Sequence, residues 1–306
     1  MKIDYSQIEI AGNSVIARDH LNGFNSNIEC DVLYDLNKNY CKDVFVEYIF
    51  DNSVKAKYNN LNFKFAWFSQ RELFNSFVEY NMHPEISFKN FLCSFNGTGH
   101  VSRQLLSSIL NNQGHFDPKY SSKNFAYDNN WITSHLGNLD LTNDEVQLYS
   151  KFFINNTEFN DTIYSFGHVR GNHKNNIYNL ENKLTQSFVH IVSETMATSY
   201  YPFVTEKFLY SIVTRGLFLT YAQPTWHSHI EKYYGFKLYD TIFDYSFDEI
   251  QNPVKRLVKL MEMTSKFSTL SADDWRDLYH MEQENIEYNY DHYFSGNYLK
   301  SLSRYV

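Results

Sequence analysis

The chain has 306 residues, 43% hydrophobic and 20% charged, with a net charge of −8. This balance excludes a disordered polyelectrolyte and gives enough length for one large core or two ordinary ones. The acidic character, with a pI near 5.8, excludes a broad basic nucleic-acid surface but leaves room for a local basic cleft.

No apolar run is long enough to span a bilayer and the first residues carry no signal core, so the expected location is cytoplasmic, the host cytoplasm for a viral protein. Cys30, Cys41 and Cys93 have no C-x-x-C spacing. They fit reduced thiols better than a disulfide frame or a zinc site.

In chain order, 31–36, 43–50 and 63–69 read as β-strands bounded by Asn, Asp and Lys clusters. A helix is expected over 71–80, with Pro84 beyond it. A new unit begins near 90. "FLCSF" is a short apolar strand and "NGTGH" a glycine turn. Leu105, Leu106, Ile109 and Leu110 then follow helical spacing, with Ser102 as expected N-cap and Gly114 as stop.

The polar stretch 115–180 contains one capping box, Thr142 with Glu145, and a staple of Leu141 on Val146. From 187 the pattern alternates. Strands are expected at 187–194, 217–223 and 236–240, and helices at 205–214 and 227–234. Further helices start at Ser246, capped with Glu249 and running past Lys259, and near Ser271. This alternation predicts an α/β fold with a parallel sheet covered by helices.

Two helix starts carry cations. Thr205 can cap the helix at 205–214, which places Glu206 and Lys207 in its first turn. A lysine opposes the helix dipole there, and a bound phosphate would resolve the conflict. Glu206 could accept hydrogen bonds from sugar or ribose hydroxyls. The turn at Asn96 leads to Arg103 in the first turn of the next helix, where a guanidinium suits a phosphate. Each start alone also reads as an ordinary turn with solvated charges.

His227 and His229 lie two apart, so on a helix they diverge, and no metal site is expected from them. His168, Arg170 and His173 read as a polar loop, either facing solvent or able to cover a donor. Lys255, Arg256 and Lys259 read as the solvated face of an amphipathic helix.

"FVHIVSETMATSYYPFVTEKFLYSIVTRGLFLTYAQP" resembles the signature of the α-1,3-fucosyltransferase-type glycosyltransferases, in which an aromatic-Val-Thr-Glu-Lys segment opens a helix between two strands. "SFNGTGHVSRQLLSSIL" resembles the family's Asn-containing turn and Arg-led helix. The resemblance covers roughly 90–260. It implies a GT-B fold, with two Rossmann-like domains facing a cleft, and an inverting transfer from a GDP-, UDP- or CDP-linked sugar without an essential metal or other cofactor.

Carried over, Arg103 and Lys207 would neutralise the leaving diphosphate. Glu206 would bind ribose or the transferred sugar, Phe203 would line the nucleotide pocket, and Glu194 would support the loop after its strand. Thr205 and Asn96 would complete the donor site. Glu72, expected to open the helix after "WFSQ", is the counterpart of the family's catalytic base.

Thr195 stands where the family has Asn, and "YAQP" stands where it has an aromatic pair followed by glycine. The expected organisation is an acceptor-side domain at 1–88, a donor-binding domain at 89–285, and a tail at 286–306 packing back on the first. The expected acceptor is a glycan hydroxyl. Two alternatives stay open: transfer to hydroxymethylated bases of phage DNA, and a non-catalytic nucleotide- or glycan-binding protein.

Overall fold

A computed structural model describes residues 8–11, 14–17, 43–46, 62–65, 68–80, 85–96, 101–115, 117, 119–122, 142–154, 172–194 and 204–305. Among the described residues the architecture is mixed α/β with two sheets. The first contains β1 (Ile8–Ala11), β2 (Ser14–Ala17), β3 (Asp43–Val46) and β4 (Asn62–Phe65) in that order. β1 and β2 are antiparallel, and the other pairs are parallel. The strand expected at 31–36 lies outside the described residues.

Helix α1 (Phe68–Phe77) starts three residues before the expected Arg71. Gln70, Leu73 and Phe77 form its buried face, spaced three or four apart, and Tyr80 beyond its end is buried too. This face begins before the expected start, and the β-rich look of 63–69 gives way to it.

The second sheet has β5 (Asn90–Phe95), β6 (Ser121–Ser122), β7 (Ser187–Ser193) and β8 (Leu217–Tyr221) in the order β6-β5-β7-β8. Every pair is parallel. All residues of β7 and β8 are buried, as expected for strands covered on both faces.

Helix α2 (Val101–Asn112) follows β5, α3 (Asn143–Ile154) packs on α2, and α4 (His173–Thr185) leads into β7. Helix α5 (Glu206–Val213) links β7 to β8. His190 of β7 bonds to Ser211 of α5 and to the Leu184 carbonyl of α4, so these helices cover one face. On the other face the Tyr221 hydroxyl donates to the Pro253 carbonyl at the start of α7 (Pro253–Ser265), which packs on α2. The links β5–α2–β6 and β7–α5–β8 run in opposite directions with their helices on opposite faces, as right-handed crossovers require.

The core beyond β8 is aromatic. Phe208 meets Phe218, Trp226 and Phe236 edge to face, with centroids 4.8–5.2 Å apart. Each such pair contributes about 1 kcal/mol beyond its burial.

Several local expectations are corrected. Ser102 lies inside the first turn of α2, because the helix already starts at Val101. The segment expected as a strand at 236–240 is not one; the Asn289 side chain takes the Lys237 N–H (2.7 Å) and donates to its carbonyl (2.9 Å), standing in for a neighbouring strand. The helix expected over 227–234 is a short α6 (Trp226–His229) that widens into a π turn, Ile230–Tyr234.

The helix expected from Ser246 splits into a 3₁₀ turn, Tyr245–Glu249, capped by Asp244, and α7, capped by Asn252. Pro253 forces the break, since the residue before a proline avoids the helical region. Arg256 is buried, not solvated: its Nε donates to the Ala222 carbonyl and its Nη1 to that of Gln251, both at 3.0 Å. Gly114 does end α2 in the left-handed region, with φ 72°. Thr142 and Glu145 bond reciprocally, and Leu141 lies outside the described residues.

The chain ends in α8 (Ala272–Met281), capped by Ser271 and Asp274, then α9 (Gln283–Phe294) and α10 (Asn297–Leu302). The boundary expected at 286 falls inside α9. Tyr293 and Tyr298 donate to the carbonyls of Leu73 and Gln70, which fastens these last helices to α1.

Candidate functional site

The strand order reverses direction between β5 and β7. At such a switch point the crossovers part and leave a crevice at the carboxyl ends of the strands. Here those ends are Asn96 and Glu194. α2 and α5 start from this edge. α4 runs into the amino end of β7, so its own N-terminus also lies at this edge. The three first turns carry Arg103, His173, and Glu206 with Lys207. Free N–H groups and helix dipoles make the edge attractive to an anion.

Glu194 is fully buried. Its Oε1 accepts from the Thr205 backbone N–H at 3.0 Å, while Oε2 is enclosed without a hydrogen-bond partner among the described residues. Burial pushes this carboxyl toward its neutral acid, and Lys207 and Thr205 pull back only partly. Thr205 caps α5, accepting from the Lys207 N–H.

The Lys207 ammonium donates to Thr205 Oγ1 at 3.1 Å and to Glu206 Oε1 at 3.2 Å. Burial opposes ionisation of Glu206, but Lys207 and then His173 outweigh it and draw its pKa down to about 2. Arg103 is 2% exposed. Burial lowers its pKa, and the charges of Glu206 and Glu194 raise it again. Arg103 and Lys207 thus set two cationic side chains beside Glu206 and Glu194 where three helices begin.

The structure therefore brings together Arg103, Glu194, Thr205, Glu206 and Lys207. Asn96 is buried at the end of β5, its amide donating to Ser94 Oγ at 3.2 Å. Phe203 lies outside the described residues. Glu72 is not brought in. It is exposed in the second turn of α1, not at the helix start, because α1 begins at Phe68. Gln70 is buried and donates to the Val204 carbonyl at 3.1 Å. Two residues on, a helix has turned by about 200°, so Glu72 faces away from this turn.

Sequence reading missed Gln70 and placed His173 in a polar loop, where the structure has it start α4. The signal for His173 was present: Asn172 is a capping residue type, and Ile177, Leu180 and Leu184 follow at helical spacing. Asn172 does cap α4, accepting from the Asn175 N–H.

His227 serves the fold. Its Nε2 accepts from the Thr220 N–H at 3.1 Å and its Nδ1 lies 2.9 Å from Asp248 Oδ1, which closes the edge of β8. Among the described residues no group of three or more His, Cys, Asp or Glu could hold a metal ion, and no helix is long and apolar enough to cross a membrane.

Two concavities lie elsewhere. One of about 640 Å³ is lined by Asp240, Asp244, Asp248, Glu249 and Tyr245 beyond β8; its acidic lining suits no phosphate. One of about 400 Å³ lies at the amino end of β5, beside Lys89, His115 and Trp275. No family model, curated protein or solved structure matches the chain.

Proposed function

We propose that the chain is a glycosyltransferase of GT-B type that moves a sugar from a nucleotide-sugar to an acceptor hydroxyl with inversion. The observation that carries this reading is that Arg103 and Lys207 each lie in the first turn of a helix that starts at the switch point of a parallel sheet. A diphosphate is the chemistry that such an edge favours.

In the transfer, the bond between the anomeric carbon and the diphosphate breaks and negative charge grows on the leaving oxygen. Arg103 and Lys207 neutralise that charge, so the proposed step requires no metal. Glu206, ionised at neutral pH, accepts hydrogen bonds from ribose or sugar hydroxyls. Glu194 holds the start of α5 through Thr205. The proposed acceptor is a glycan. Glu72 has no part in the proposed site.

Thermal unfolding with GDP-, UDP- and CDP-sugars tests the reading. One nucleotide class is expected to stabilise the chain by about 2.7 kcal/mol at a hundred times its Kd. Mass spectrometry with saccharide acceptors and hydroxymethylated duplex DNA then identifies the product. Absence of stabilisation by every donor overturns the proposal; transfer to the DNA alone replaces the glycan acceptor.

A further inference from the structure

We propose that His173 is the proton acceptor of this transfer, with its imidazole oriented by Glu206. The inference rests on the transferase reading and adds the group that the site otherwise lacks. An inverting transfer must remove a proton from the acceptor hydroxyl as its oxygen attacks.

His173 is the first residue of α4 and is half-buried at the carboxyl edge of the sheet. Its Nδ1 is enclosed and has no hydrogen-bond partner among the described residues. Nε2 is therefore the nitrogen left to meet an acceptor. Glu206 lies at the same edge, near enough that an imidazolium at His173 favours its ionised form. The edge holds a second unmet group, Glu194 Oε2, wholly buried against the same turn of α5. A carboxylate beside an imidazole fixes its tautomer and stabilises the imidazolium as it forms.

Lys207 couples this pair to the donor. In the free protein its ammonium occupies Glu206 Oε1. A diphosphate drawing Lys207 away releases that oxygen to accept from His173 Nδ1–H. The acceptor proton then passes to Nε2, the acceptor oxygen bonds to the anomeric carbon, and the bond to the diphosphate breaks. The electron pair leaves with the nucleoside diphosphate onto Arg103 and Lys207, and the imidazolium returns its proton to water. Among the described residues, the titratable and charged groups at this edge include Glu194 after β7, Glu206 and Lys207 of α5, Arg103 of α2, and the Lys174–Glu79 pair between α4 and α1.

The experiment compares the wild-type chain with His173→Asn and His173→Gln, using nucleotide-sugar affinity by calorimetry and turnover of the same donor between pH 5 and 9. The expected result is an affinity within about twofold of wild type and turnover reduced about 10²–10⁴-fold. Wild-type turnover is expected to rise with pH on the acidic side of its profile, and the variants to lose that limb. Full turnover in a folded variant overturns the role, as does a limb that survives in the variants. A flat wild-type profile overturns it without any variant. A wild-type chain that binds no nucleotide-sugar overturns the transferase reading itself, and this role with it.

Discussion

His190 and Gly216 touch so closely that no side chain fits between them: a Cβ on Gly216 would lie 2.0 Å from the imidazole Cε1. The imidazole is fully enclosed between β7 and α5. Its Nε2–H donates to the Leu184 carbonyl at 2.9 Å and its Nδ1 accepts from the Ser211 hydroxyl at 3.0 Å. Gly216→Ala is expected to destabilise the chain by about 3 kcal/mol or more through overpacking, measured by denaturant unfolding. His190→Ala combined with Gly216→Ala is expected to recover part of that loss, and a double mutant no better than the sum of the two single changes refutes the contact.

Acid weakens the fold in two adjoining windows. Burial holds His190 down at about 4, so the unfolded chain takes up a proton that the folded chain refuses. Stability therefore falls as pH drops from about 6.5 to 4, by roughly 3 kcal/mol. Glu206, held at about 2, contributes stability above its ordinary range and loses it as pH falls from about 4.5 through 2, by a similar order. Glu194 is raised and acts oppositely, weakening the fold as pH rises. His190→Gln is expected to flatten the upper window in unfolding titrations, and an unchanged slope there counts against the assignment.

Lys207 and Arg103 are expected to separate in stability. Lys207→Ala lowers nucleotide-sugar affinity about tenfold, equivalent to about 1.4 kcal/mol, with the fold retained. Arg103→Ala costs about 3–5 kcal/mol of stability, because the fully buried Glu194 and its neighbour Glu206 lose a nearby compensating charge. Arg103→Lys keeps the charge but loses the fork, so it reports on binding without the full loss of stability. Calorimetric titration beside thermal unfolding distinguishes the three, and equal donor affinity in Lys207→Ala and wild type removes the phosphate contact.

Asn289 stands in for a strand at Lys237, taking its N–H and donating to its carbonyl. Asn289→Ala leaves both backbone groups without that partner and is expected to cost about 2–3 kcal/mol. Hydrogen exchange at the Lys237 amide checks this, since accelerated exchange is expected there while β7 stays protected.

Much of the second sheet was legible because β7, α5 and β8 combine apolar periodicity with explicit punctuation, Thr205 before the helix and Gly216 after it. The parallel order followed from alternation alone. The switch point did not, since only tertiary pairing shows that β6 and β8 lie on opposite sides of β5 and β7. Arg103 and Lys207 were legible as cations placed against a helix dipole, a local conflict visible in one dimension. His173 was obscured because its cap, Asn172, follows a long polar stretch and resembles loop. The extended segment at 236–240 misled because its partner is a single side chain about fifty residues away.

The turn after α5 carries its left-handed residue one place earlier than the glycine. Arg215 has φ 55°, its N–H donates to the Ile212 carbonyl, and that of Gly216 to the Ser211 carbonyl. Gly216 is reserved for the imidazole, so an arginine takes a conformation that costs about 1–2 kcal/mol. Its side chain lies 3.5 Å above the Tyr290 ring and binds both oxygens of Glu287, while Tyr279 donates to its carbonyl. One strained residue is thus held by α8 and α9 together. Peeling those helices away leaves the turn uncompensated beside β8, so the C-terminal helices and the parallel sheet are expected to melt as one cooperative unit.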